Sequence, residues 1–369
     1  FMDLGIDLLF LPLADIISAA ILVADAHQHP FVAEAKEIRA GDVLAQADPF
    51  NAIGEEIADI APVVERFRLE DRRPRAAENG VVGVAIEPAA RVPYGKMITW
   101  LFDHCEDIAL RNISVDFERP SMSEMTLKTV TPGMVTAQVH PDSRFTIING
   151  RLQWYGEKWG MKQFHAVLAD TASGVYTYSS WNPFYNSKAV QTAPGTVNFS
   201  GDFSGFKGAP GNVLTVRDGI RDQVGAFIQH CKNVRLENIQ MRYMHGLGIV
   251  SQFSENLCYS HIQVMPAPGS GRVMASFADG MHFSGCKGSI EITDARFKGL
   301  HDDPINIHGT HLEITEKISP RKLKLRFMHH QTYGFSAFFA GDSILFLHSA
   351  ALQGYGLGRI AAAKLVSER

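Results

Sequence analysis

A short segment recurs along this chain, and that recurrence narrows the folds open to it more than any other feature. Cys105-Glu-Asp-Ile-Ala-Leu-Arg-Asn-Ile-Ser-Val115 aligns with Cys231-Lys-Asn-Val-Arg-Leu-Glu-Asn-Ile-Gln-Met241. Ser254-Glu-Asn-Leu-Cys-Tyr-Ser-His-Ile-Gln-Val264 follows the same template, and Cys286-Lys-Gly-Ser-Ile-Glu-Ile-Thr293 is a looser fourth copy. A second segment repeats beside it: Leu247-Gly-Ile-Val-Ser-Gln-Phe253, Asp279-Gly-Met-His-Phe-Ser-Gly285 and Asp303-Pro-Ile-Asn-Ile-His-Gly309. The step from Asp279 to Asp303 is 24 residues, and that from Cys231 to Ser254 is 23. Steps of this size, with two short strands in each, suit the coils of a solenoid, where no coil buries its inner face alone and stacking builds a continuous core. The repeat predicts an all-β fold, a right-handed parallel β-helix.

Strand alternation assigns faces within the repeat. Ile249, Met281 and Ile305 should form one inward column, and Ser251, Phe283 and Ile307 the next. Val250, His282 and Asn306 should point outward, as should Gln252, Ser284 and His308. The outer face of the later coils thus becomes rich in groups that can bind or move protons.

Other stretches depart from the repeat. Residues 1–92 form an atypical N-terminal segment with irregular first coils; within it, residues 1–75 read as helix and loop, with helical spacing at Ile53, Ile57 and Ile60. From 93 to 311 the chain reads as the β-helix, interrupted at about 128–228 by a β-rich excursion holding Trp154, Trp159 and Trp181. Those tryptophans serve either a core or a sugar face. Residues 312–369 read as strands of a further inserted subdomain, at Leu323–Phe327 and Ile344–Leu347, that stops incomplete.

Composition removes several classes of function. With 35 basic and 39 acidic side chains the net charge is −4, which leaves no electrostatic footprint for nucleic acid. There is no apolar run of transmembrane length. The first 25 residues carry Asp3, Asp7, Asp15 and Asp25 and no basic start, so no clear signal peptide is present. The four cysteines are too sparse for a disulfide scaffold, and none lies in a C-x-x-C pair.

The candidate chemistry lies in Asp279, Asp302 and Asp303. Equivalent positions on neighbouring coils lie about 4.8 Å apart, so the Asp279 and Asp303 backbones should be neighbours, with Asp302 as a third carboxyl at that corner. Carboxylates this close cannot all ionise freely. One protonated acid for a leaving oxygen and one ionised base for water is what glycosidic hydrolysis needs. The same carboxylates could instead cap turns or hold Ca²⁺ in a polysaccharide lyase, with Arg296 as the base. A non-catalytic carbohydrate-binding β-helix is the other alternative. His301, beside the Asp pair, is placed to orient a carboxylate or a sugar hydroxyl.

Three motifs carry a family resemblance. Asp116-Phe-Glu-Arg-Pro-Ser-Met-Ser-Glu124, Ala278-Asp-Gly-Met-His-Phe283 and His301-Asp-Asp-Pro-Ile-Asn-Ile-His-Gly-Thr-His311 resemble glycoside hydrolase family 110, over roughly residues 93–365. That family contains bacterial exo-acting α-1,3-galactosidases, including those that cleave the blood group B antigen. The resemblance implies a parallel β-helix with small inserted β-barrels, an inverting mechanism, and no metal or other cofactor. The substrate it implies is a galactose-terminated oligosaccharide or glycoconjugate, met in a secreted or periplasmic setting. It makes Asp279, Asp302 and Asp303 catalytic, with Asp279 as the preferred acid and the Asp pair activating water. The Asp-Gly, Asp-Asp and His-Gly series is also similar to the polygalacturonases, in which the acid comes from the Asp-Asp pair. Glu118, Arg119, Glu124, His282, His301, Asn306 and His308 are the expected sugar-binding residues. Residues 1–90 depart from the family's first coils, and the chain ends within what resembles an inserted barrel, short of the final coils.

Overall fold

A computed structural model describes residues 6–10, 82–84, 90–92, 96–156, 159–161, 165–218, 223–329 and 333–366. The fold is all-β, with no helix among the described residues. It divides into two compact units: Ala77–Ile307, and a second built from Phe1–Ala76 with His308–Arg369.

Two parallel sheets run through the first unit. One has the order Ile305–His308, Met281–Ser284, Ile249–Gln252, Ala226–Gln229, Leu101–Asp103. The other pairs Glu106–Phe117 with Lys232–Met241, then Glu255–Val264, then Lys287–Thr293. Register follows the sequence repeat: Leu110, Leu236, Tyr259 and Ile292 fall in one column, and Ile113, Ile239 and Ile262 in another. The shared core includes Leu236, Ile239, Ile249, Tyr259, Met281 and Phe283, all without exposed surface. Each such side chain contributes roughly 1.5–3 kcal/mol through burial.

Polar turn residues stack as regularly as the apolar ones. Asp107, Asn112, Asn233, Asn238 and Asn256 have φ of 55–57°, a left-handed conformation that Asn and Asp tolerate better than most side chains. Their side chains form a ladder between neighbouring strands: Asn238 Nδ2 donates to Asn112 Oδ1 at 2.8 Å, Asn233 Nδ2 to Asp107 Oδ1 at 2.9 Å, and Asn256 Nδ2 to Asn233 Oδ1 at 3.2 Å.

Between Phe117 and Ala226 the chain leaves the parallel sheets. An antiparallel sheet of seven strands has the order Val175–Trp181, His165–Asp170, Val213–Arg217, Ser123–Thr131, Met134–Val139, Thr196–Ser200, Lys188–Ala193. Phe145–Ile148, Arg151–Gly156 and Trp159–Met161 form a three-stranded sheet. This region has its own core of Leu127, Val135, Trp154, Val197, Phe199 and Leu214. Trp154 is fully buried there, so it is a core residue and no sugar platform. In the second unit, Leu312–Ser319, Lys322–Phe327, Ile6–Phe10, Gln353–Leu365 and Ser343–His348 form an antiparallel sheet in that order.

Several sequence expectations need correction. Alternation places Ile305 and Ile307 inward, but they are 37% and 57% exposed. Ile249 and Met281 have a paired strand on each side, whereas Ile305–His308 is the last strand of its sheet among the described residues. Val250 and Ser284, assigned outward, are buried; Val250 lies in register between Phe227 and His282. Within 1–75, read as helix and loop, Ile6–Phe10 is a strand, and the rest of that expectation lies outside the described residues. Of the irregular first coils, Val82–Val84 and Ala90–Val92 pair in parallel with Glu106–Phe117.

Candidate active site

Backbone pairing brings two of the aspartates together. Gly280 N donates to Asp303 O at 2.9 Å and Met281 N to Pro304 O at 3.0 Å, so the two neighbouring segments are bonded at the residues of interest. On the other side a Cβ on Gly248, which has φ of 74°, would lie 2.3 Å from Asp279 O. Glycine is needed there both for the conformation and for the close approach. Asp279 is 2% exposed, and its Oδ2 lies 2.7 Å from His282 Nδ1. Asp302 and Asp303 are exposed, and Asn306 Nδ2 donates to Asp303 Oδ2 at 3.3 Å. The corner therefore holds one enclosed carboxyl next to two open ones.

A residue of the antiparallel insertion anchors His301. Its Nε2 lies 2.7 Å from Thr215 Oγ1, while the Thr215 hydroxyl donates to Val167 O at 3.1 Å. With that hydroxyl proton committed, Nε2–H donates to Oγ1 and Nδ1 keeps its lone pair, an assignment made from the bonding network. Burial holds the His301 imidazole well below its ordinary pKa, and Arg217 and His165 push in the same direction. His301 is thus a neutral acceptor beside Asp302. Arg217 lies 5.0 Å over the Phe277 ring, and it pairs in register with His165. Thr215, Arg217 and His165 escaped sequence reasoning. They lie outside the repeat, and Val213–Arg217 is buried at all five positions, so no polar alternation marks it.

The motif from Asp116 to Glu124 makes backbone and ion-pair contacts of its own. Glu124, expected to bind sugar, is 4% exposed and grips backbone: Oε1 and Oε2 accept from Val273 N at 3.2 and 3.1 Å, and Oε1 from Met274 N at 2.9 Å. Burial pushes its carboxyl up to about 7, against the opposing pull of these amides and of Arg272. Arg272 in turn binds both Asp116 oxygens, at 2.5 and 2.6 Å. His140 Nε2 lies 2.9 Å from Ser270 O. These contacts fix the strap that leads into Asp279. A cavity of about 10 Å³ beside Glu124, Asp142 and Tyr243 has room for about one water. Glu118 is exposed and Arg119 half-buried.

His308 belongs to the second unit, where its Nδ1 lies 2.9 Å from Gly309 O. Arg296 and Lys298 line an open cleft of about 560 Å³ with Tyr176, Leu300 and Pro304, and the three aspartates are not part of its wall. Among the described residues, no group of three His, Cys, Asp or Glu side chains is arranged to hold a metal ion. No helix long and apolar enough to cross a membrane occurs among them.

Comparison with known proteins gives this arrangement a class. Residues 123–214 match the family model described as GLAA-B beta-barrel domain I, and residues 322–369 match GLAA-B beta-barrel domain II. The chain is 44% identical over 277 residues to an alpha-1,3-galactosidase A of Bacteroides fragilis, covering 75% of this chain and 46% of the relative. An alpha-1,3-galactosidase A of Akkermansia muciniphila is 34% identical, over 74% of this chain and 46% of the relative. An alpha-1,3-galactosidase B of Bacteroides thetaiotaomicron is 32% identical, over 73% and 45%. The chain spans about half the length of these curated relatives. It is an all-β protein whose similarity to these enzymes runs over about three-quarters of its own length. It belongs to the family of these α-1,3-galactosidases, the glycoside hydrolase family 110 that its motifs resemble.

Proposed function

We propose that this chain carries the catalytic corner of an inverting exo-α-galactosidase that removes terminal α-1,3-linked galactose from secreted or periplasmic encounter with glycans. Its two parallel sheets are the walls of a right-handed parallel β-helix, and the antiparallel insertion is a barrel docked on it. One observation carries the reading: enclosed Asp279, bound to His282, lies one strand from open Asp302 and Asp303.

The asymmetry suits a division of labour. Asp279, shut away from solvent, is the acid that protonates the glycosidic oxygen, and His282 fixes its orientation. Asp302 and Asp303 face solvent, where water can enter, and serve as the base. Asn306 orients Asp303, and neutral His301 accepts a hydrogen bond through Nδ1 from a sugar hydroxyl or the attacking water. Proton transfer completes in one displacement: the base takes the water proton, the water oxygen bonds to the anomeric carbon, and the acid's proton goes to the leaving oxygen. No metal is required. Inversion needs acid and base roughly 6.5–9.5 Å apart, with a water between them.

A linkage panel of α-galactosides, run on wild type and Asp303→Asn together, tests the proposal. The expected result is release of galactose from the α-1,3 substrate, lost in the variant. Galactose binding by calorimetry with no turnover of any member would replace the reading with a carbohydrate-binding role.

A further inference from the structure

The corner column that opens each repeat contains three of the four cysteines. Cys105, Cys231, Ser254 and Cys286 each precede registered residues of neighbouring strands. The backbone confirms the stacking: Lys232 N donates to Cys105 O at 2.9 Å, Glu255 N to Cys231 O at 2.8 Å and Lys287 N to Ser254 O at 2.9 Å. Cys105 and Cys231 are thus immediate neighbours, while Ser254 separates Cys231 from Cys286. The Cys231 sulfur lies 3.5 Å from Phe102 O, on the strand that leads to Cys105, and 3.2 Å from Gln229 O on its own, while the Cys105 sulfur lies 3.3 Å from Asp103 O.

We propose that Cys105 and Cys231 are a disulfide-forming pair that cross-links adjacent coils under oxidising conditions. Neighbouring strands place Cα atoms about 4.8 Å apart, inside the 4.4–6.8 Å range of disulfides, whereas two steps of the column exceed the roughly 7 Å limit. The chemistry of the two thiols differs in a useful way. Pairing with Cys231 lowers the Cys105 thiol to about 6 against the effect of its partial burial, while that same pairing and burial raise the Cys231 thiol. Cys105 is also the half-exposed member, and Cys231 is buried. Reactivity follows exposure and thiolate character, so Cys105 attacks first and Cys231 resolves.

With oxidised glutathione as oxidant, the Cys105 thiolate displaces one glutathione thiolate and forms a mixed disulfide. Cys231 then loses its proton, and its sulfur displaces the second glutathione from Cys105. Two protein thiols are oxidised and one external disulfide is reduced to two glutathione thiols. The bond closes a loop of 126 residues (231 − 105) that contains the whole antiparallel insertion, tying the coil before it to the coil after it.

The test is to treat the 369-residue chain with oxidised or reduced glutathione, alkylate free thiols and map peptides by mass spectrometry without reduction. A Cys105–Cys231 linked peptide is expected, with Cys258 and Cys286 alkylated. Cys231→Ser should instead accumulate a stable glutathione adduct on Cys105. Oxidation should raise Tm by about 5–10 °C in wild type and in Cys286→Ser, and leave Cys105→Ser unchanged. Alkylated Cys105 after oxidation, a Cys231–Cys286 link, or only a glutathione adduct on wild-type Cys105 would overturn the proposal.

Discussion

The stacked parallel strands and the antiparallel insertion of the first unit solve the same problem in opposite ways. In the stack, equivalent residues of neighbouring parallel strands lie side by side, so one sequence template is reused and each column repeats a chemistry: Leu110 beside Leu236, Asn112 beside Asn238, Asp279 one strand from Asp303. In the insertion, neighbours run in opposite directions and pair unlike segments, such as His165 with Arg217 and Val213 with Thr126. The stack supplies the carboxylates. The insertion supplies what holds their surroundings, through Thr215 on His301 and Glu124 on the strap before Asp279. Repetition gives a regular scaffold, and the irregular part adapts it to one purpose.

The strongest way to break this comparison is to remove the stack's chemistry while keeping its shape. Asp303→Asn and Asp279→Asn should each lower hydrolysis of an aryl α-galactoside by about 10³-fold or more with an unchanged circular dichroism spectrum, within the 10²–10⁴ typical of acid–base groups. Residual activity near wild type would move the chemistry elsewhere. Next in size, Phe283→Ala in the stack and Phe199→Ala in the insertion should each cost about 3–5 kcal/mol in urea unfolding. They belong to separate cores, so the double variant should be additive within about 0.5 kcal/mol. A clear departure would show the two cores to be one.

Glu124 tests the insertion's grip on the strap. Its carboxyl is raised to about 7 in the fold, from an ordinary value of 4.5. Between those values the folded chain keeps a proton that the unfolded chain has released. Its contribution to stability is therefore complete below about pH 4.5 and falls by roughly 3 kcal/mol as pH rises through 7. Urea midpoints at pH 5 and pH 8 should show that loss in wild type and not in Glu124→Gln, which keeps an oxygen for the amides; parallel slopes would refute it. Thr215→Val should lower kcat about tenfold by releasing His301, with little change in Tm. Asn238→Ala should cost about 1–2 kcal/mol, from one exposed ladder bond and a left-handed backbone that alanine tolerates less well than asparagine, and leave turnover untouched.

The same contrast explains what the sequence disclosed. The column registers, the all-β class and the neighbouring Asp279 and Asp303 backbones were legible because a parallel stack writes its spatial period into the sequence. The exposed Ile305 and Ile307 were misassigned because alternation tells which face a residue takes and says nothing of what covers that face. Thr215, Arg217 and His165 were invisible because antiparallel pairing across a long insertion leaves no local period. Glu124 was found by its motif, and its hold on the Val273 and Met274 amides was not. A carboxylate that binds sugar and one that binds backbone amides look alike until burial is known.

The reading of the catalytic corner depends on how the bond at the anomeric carbon is replaced. Proton NMR of an α-1,3-galactoside digest, recorded from the first minutes, reports this directly. Attack by a water held by Asp302 and Asp303, opposite a leaving group protonated by Asp279, predicts that β-galactose appears first and the α anomer grows in later by mutarotation. Initial α-galactose would require a covalent intermediate and would contradict the assignment of these three carboxylates.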